Sequence, residues 1–86
     1  MPEISIFYGI KIKMYYDDHN PPHCHAEYAG HNALIDIINV VVIKGGLPAK
    51  QLKYALEWCE LHKDELMRNW ELAKSGKQPD PIAPLA

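Results

Sequence analysis

The chain has 86 residues, 48% hydrophobic and 23% charged, with a formal net charge of −2. These proportions exclude a disordered chain and fit one domain, at a size where roughly 60% of the unfolded surface can be buried. The small negative charge argues against broad nonspecific binding to nucleic acid, and no apolar run approaches the ~20 residues of a membrane span.

The N-terminus lacks the basic start and apolar run of a secretory leader, so a cytoplasmic location is expected. Cys24 and Cys59 have no partner at C-x-x-C spacing and are read as reduced core thiols rather than as a disulfide scaffold or metal motif.

Residues 9–16 alternate strictly: Ile10, Ile12 and Met14 share one face, and Lys11, Lys13 and Tyr15 the other. This predicts a strand, ended by Pro21 and Pro22, which fix φ and cannot donate to a ladder. From His23 a second strand places Cys24, Ala26 and Tyr28 opposite His23, His25 and Glu27, until the turn residues Ala29-Gly30-His31-Asn32. A third strand spans 33–38, with Ala33, Ile35 and Ile37 inward if Asp36 faces out. The β-branched run Val40-Val41-Val42-Ile43 predicts a short fourth before Gly45-Gly46.

Pro48 and Gly76 bracket a helical region in which Leu52, Leu56, Cys59, Leu66, Trp70 and Ala73 recur at three- and four-residue steps, forming an apolar stripe to cover the sheet. So long a region in so small a domain predicts a kink or break near His62-Lys63-Asp64, with two consecutive helices favoured. Prolines 79, 81 and 84 then impose an extended tail, pinned by Ile82 and Leu85. The prediction is an α+β fold: an antiparallel sheet of three to four strands over 1–46 with a histidine-rich turn at 17–25, a helical part over 47–76 packed on one face, and an extended tail over 77–86.

The turn Asp17-Asp18-His19-Asn20-Pro21-Pro22-His23-Cys24-His25 concentrates the chemistry. His23 and His25, two apart on a strand, project to one side with Cα atoms ~6.6 Å apart, so both imidazoles can meet one ion at about 2.0–2.1 Å. A third ligand from His19, or less favourably from Asp17 or Asp18, would complete a site with open positions suited to zinc, iron or manganese. Three other readings stand beside it, the first being that the turn holds a nucleic-acid phosphate rather than a metal. The histidines brace the turn through backbone carbonyls, or they act as acid and base in a metal-independent ribonuclease with His19, His23, His25 and Lys13 in the site. Lys11 and Lys13 otherwise form a solvated strand face. His31 and His62 are expected to be hydrogen-bonding residues, and Trp58 and Trp70 packing residues.

The segment Ile4-Ser5 through Phe7-Tyr8-Gly9-Ile10 and the run Asp18-His19-Asn20-Pro21-Pro22-His23-x-His25 resemble the bacterial family known as domain of unknown function 4160. So do Ile35-Asp36-Ile37, Leu47-Pro48, Glu57-Trp58, Leu61 through Leu66 and Asn69 through Ala73; here Asn39-Val40 stands where relatives carry a more polar turn. The resemblance matches His19, His23 and His25 to the family's motif. It also implies a gene beside another small domain, an arrangement similar to toxin–antitoxin pairs, and hence a small partner protein. A homodimer through the open sheet face bearing Leu34 and Ile38 is the other expected partnership.

Overall fold

The computed structural model describes residues 3–16 and 18–85. Five strands, β1 (Glu3–Phe7), β2 (Ile10–Lys13), β3 (His23–Tyr28), β4 (His31–Asp36) and β5 (Val41–Gly45), precede two helices, α1 (Ala49–Leu61) and α2 (Lys63–Lys74). The strands form one antiparallel sheet in sequence order. The α+β class holds, with one strand more than the three to four expected.

The additional strand is β1. Its pairing with β2 shifts register between Glu3 and Ser5, so Ile4 and Ser5 are both buried while Ile6 is exposed. A bulge of this kind breaks the alternation by which a strand is read from sequence. The neighbouring strand is shorter than expected. Tyr8 and Gly9, both at positive φ, form the two-residue hairpin between Phe7 and Ile10, and β2 ends at Lys13. Ala29 and Gly30, also at positive φ, join β3 to β4 in the same way, matching the backbone twist that such hairpins require.

Ile10, Ile12, Met14, Cys24, Ala26, Ile35 and Ile37 are fully buried and meet Ala55, Trp58, Cys59, Leu66, Trp70 and Ala73 of the helices. Each large apolar side chain so buried contributes roughly 1.5–3 kcal/mol. The stripe differs from the sequence reading in α1, where Ala55 and Trp58 lie innermost and Leu52 and Leu56 are half-buried. The helical region does break at His62, whose φ of −111° and ψ of 25° leave the helical well, and Asp64 and Glu65 fall in the first turn of α2.

Gly76 closes α2 at φ 78°. Its N–H donates to Ala73 O at 3.0 Å and the Lys77 N–H to Leu72 O at 2.8 Å, satisfying carbonyls that the helix end leaves open. The tail then runs back across the molecule. Asn69, 2% exposed, donates to Asp80 O at 2.8 Å and accepts from Asp80 N–H at 2.9 Å. The Ile82 N–H donates to Ile4 O at 2.8 Å, and Trp58 Nε1–H donates to Ala83 O at 2.8 Å. Among the described residues, no helix is long and apolar enough to cross a membrane.

A histidine and aspartate cluster at the start of β3

The segment between β2 and β3 is tied down through proline carbonyls, the one backbone polar group a proline retains. Pro22 O accepts the Ile37 N–H at 3.0 Å, which joins the turn to the end of β4. Pro21 O accepts the Nδ1–H of His23 at 2.8 Å. The peptide bond Asn20–Pro21 is cis.

With its proton on Nδ1, His23 turns Nε2 toward Asp18, 3.0 Å from Oδ2, and His25 Nε2 lies 3.2 Å from the same oxygen. Asp18, His23 and His25 thus bring one ligand atom each to within 4.8 Å of one another. The His19 backbone N–H donates to the other carboxylate oxygen of Asp18 at 2.8 Å, which orients it.

Register places Lys13 beside His25 on the sheet face and Asp36 across from His23. Neither is directed to the cluster. Lys13 Nζ pairs with Glu27 Oε1 at 3.0 Å, and the hydrogen bond from Glu27 is the main cause raising the lysine pKa. Asp36 Oδ1 accepts the N–H groups of Ile38 and Asn39 at 2.8 and 3.2 Å, and Oδ2 accepts Asn39 Nδ2 at 3.2 Å. It is an Asx-type brace of the β4–β5 turn.

Alternation sets His23 and His25 on the face opposite Cys24 and Ala26, yet His23 is only 5% exposed. Its ring centroid lies 5.2 Å from that of Trp70 in α2 and 5.1 Å from that of His25, and the Tyr15 and His25 rings stand nearly perpendicular with centroids 4.3 Å apart. These aromatic neighbours take water from one side of the cluster. Burial lowers the His25 pKa, partly offset by the bond to Asp18. Burial pushes the Asp18 carboxyl up, but the His19 N–H, the His25 hydrogen bond and the two rings outweigh it and hold the pKa below the ordinary 3.8.

Of the residues singled out in the sequence, the fold brings His23, His25 and Asp18 together. His19 is exposed and joins through its backbone rather than in the three-residue group, and Asp17 lies outside the described residues. His31 is exposed at the start of β4 and lines a cleft of about 200 Å³ with Gly9, Lys11 and Glu27, at the far end of β3 from the cluster. His62 Nδ1 lies 2.6 Å from Glu65 Oε1, with its ring 5.1 Å from Trp58. The shielding by Tyr15 and Trp70 is absent from the sequence reading. Trp70 is 47 positions from His23, and no local pattern links them.

The molecule is thus an antiparallel sheet backed by two helices, carrying a two-histidine, one-carboxylate cluster that could hold a metal ion. The chain belongs to the family described as Domain of unknown function (DUF4160), whose model matches residues 9–71. No curated protein and no solved structure matches it.

Proposed function

We propose that the protein is a divalent-metal-binding module whose ligands are Asp18 Oδ2, His23 Nε2 and His25 Nε2. One observation carries this reading. The His23 proton is committed to the Pro21 carbonyl at 2.8 Å, so a neutral ring offers Asp18 only a lone pair at 3.0 Å. Two lone pairs at that distance repel unless a proton or a cation lies between them, and a ring N–H held by a backbone carbonyl is the usual outer support of a metal-bound histidine. Two imidazoles and a carboxylate suit zinc, iron or manganese and leave positions open for water or a ligand group.

The alternative is that the three side chains only brace the turn. The packing of the buried His23 ring against Trp70 favours that reading. The ribonuclease reading has less support, because Lys13 is engaged by Glu27. The pairing with a small protein that the family resemblance implies is compatible with either role.

Elemental analysis of protein purified without a histidine tag, beside a His23→Ala/His25→Ala variant, tests the proposal. Near-stoichiometric metal in the parent and little in the variant is expected. Equal, near-zero metal in both, retained after incubation with zinc, iron(II) or manganese and desalting, leaves the brace.

A further inference from the structure

Cys24 stands between the two clustered histidines in β3, and its side chain points the other way, into the core. There its Sγ lies 3.8 Å from Sγ of Cys59 in α1, with both residues fully buried. The two thiols are free and are the only cysteines of the chain. Their positions, 35 residues apart, join the strand that carries the cluster to the helix that covers it.

We propose that Cys24 and Cys59 are a latent cross-link, closed by hydrogen peroxide, and that closing it disturbs the histidine cluster on the reverse side of β3. One thiol attacks the O–O bond, becoming a sulfenic acid and releasing water. The second thiol then attacks that sulfur, forming the S–S bond and releasing a second water. The two sulfurs together lose two electrons, which reduce the peroxide.

The mechanical consequence follows from distance. A disulfide bond is about 2.05 Å long, so the sulfurs must approach by about 1.8 Å. Rotation of the two side chains supplies part of this approach, and because an interdigitated core leaves little room to rotate, the remainder moves α1, β3 or both. The neighbour of Cys59, Trp58, ties α1 to the tail through Ala83 O, while β3 is held between β2 and β4. Ligand distances in a metal site tolerate only about 0.2 Å, so a twist of β3 between His23 and His25 weakens binding. This effect on metal rests on the function proposed above. The cross-link and the movement of β3 do not.

Because both thiols are buried, peroxide reaches them during local opening, and closure is slow compared with an exposed pair. The test uses the full chain incubated with hydrogen peroxide, read by free-thiol titration, peptide mapping and amide resonances of His23 and His25, then repeated after dithiothreitol. Both thiols are expected to disappear together into one linked Cys24–Cys59 peptide, with the two histidine resonances moving and returning on reduction. The zinc Kd should rise about tenfold, the scale of losing an outer support of a metal ligand. A Cys59→Ser variant should keep its histidine resonances in place under the same treatment. Thiols that persist, that oxidise without linking, or that link while the histidine resonances stay still overturn the proposal. Should neither form bind zinc, the metal reading falls, and the thiol and resonance measurements still decide the latch.

Discussion

The Nδ1–H of His23 donates to the Pro21 carbonyl, two residues back, at 2.8 Å. The bond selects the ring tautomer and aims Nε2 at Asp18, so the proline pair sets the chemistry of the histidine that follows it. Asp18→Asn removes the charge from the shared oxygen while leaving a similar shape. It should lower zinc affinity at least about tenfold, measured by titration calorimetry, with a modest fall in the urea midpoint at pH 7, because the ionised Asp18 also contributes stability. His23→Ala should also cost stability, about 1–3 kcal/mol, because it opens a gap against Trp70. Unchanged zinc affinity in Asp18→Asn would remove the carboxylate from the site.

The cluster makes stability depend on pH in one direction. His25 has its folded pKa below the ordinary 6.5, so the unfolded chain takes up protons first as pH falls. Its contribution is present above 6.5 and is lost as pH drops through the folded pKa. Asp18 and Asp36, both held below 3.8, add a second loss at more acid pH. Urea midpoints of the metal-free protein should therefore fall from pH 7 to pH 5 and again below pH 4. The upper step should shrink in His25→Gln. A midpoint that rises toward pH 5 would contradict the assignment.

Two glycines at similar φ should respond differently to alanine. Gly45, at φ 71°, has the Asn32 carbonyl oxygen in the space a Cβ would take, on the strand pairing that holds β5 to β4. Gly30, at φ 84°, has open space there. Gly30→Ala should cost about 1 kcal/mol, the conformational term alone. Gly45→Ala should cost at least about 3 kcal/mol, because the backbone of β5 or β4 must also shift. Equal costs by urea denaturation would show that the edge strand yields freely.

Asn69 holds the tail by two bonds to the Asp80 backbone from a buried position. Asn69→Ala should cost about 2–4 kcal/mol, one to three from each group left without its partner less what water recovers. The loss should be local. Hydrogen exchange at the Ile82 amide, bonded to Ile4 O, should accelerate before that of the β3 amides. Uniform acceleration would mean that the tail is integral to the sheet rather than laid upon it.

Strict alternation in Ile10–Lys13 and His23–Tyr28 made the core face readable, because side chains on a strand have period two whatever surrounds them. The helix break at His62 was readable from length, and the tail from its prolines. β1 was not, because its bulge buries Ile4 and Ser5 side by side. Ser5 Oγ is buried without a hydrogen-bond partner there, a placement that no propensity favours. Val40 at φ 53° is a similar case. A β-branched residue is strained in the left-handed region, and the Val40 N–H bond to Asp36 O at 2.9 Å, with packing against the core, holds it there.

For the cluster, the sequence by itself determined that His23 and His25 share a side of β3, since spacing along a strand fixes direction. Which third residue joins them was decided only by the path of the turn. The proline carbonyls are bonded to His23 and Ile37, and that folds Asp18 back onto both imidazoles while His19 is left exposed. The burial of His23 is likewise tertiary. Trp70 covers it from a helix distant in sequence, so the polarity of the site depends on how sheet and helix pack, which local pattern does not encode.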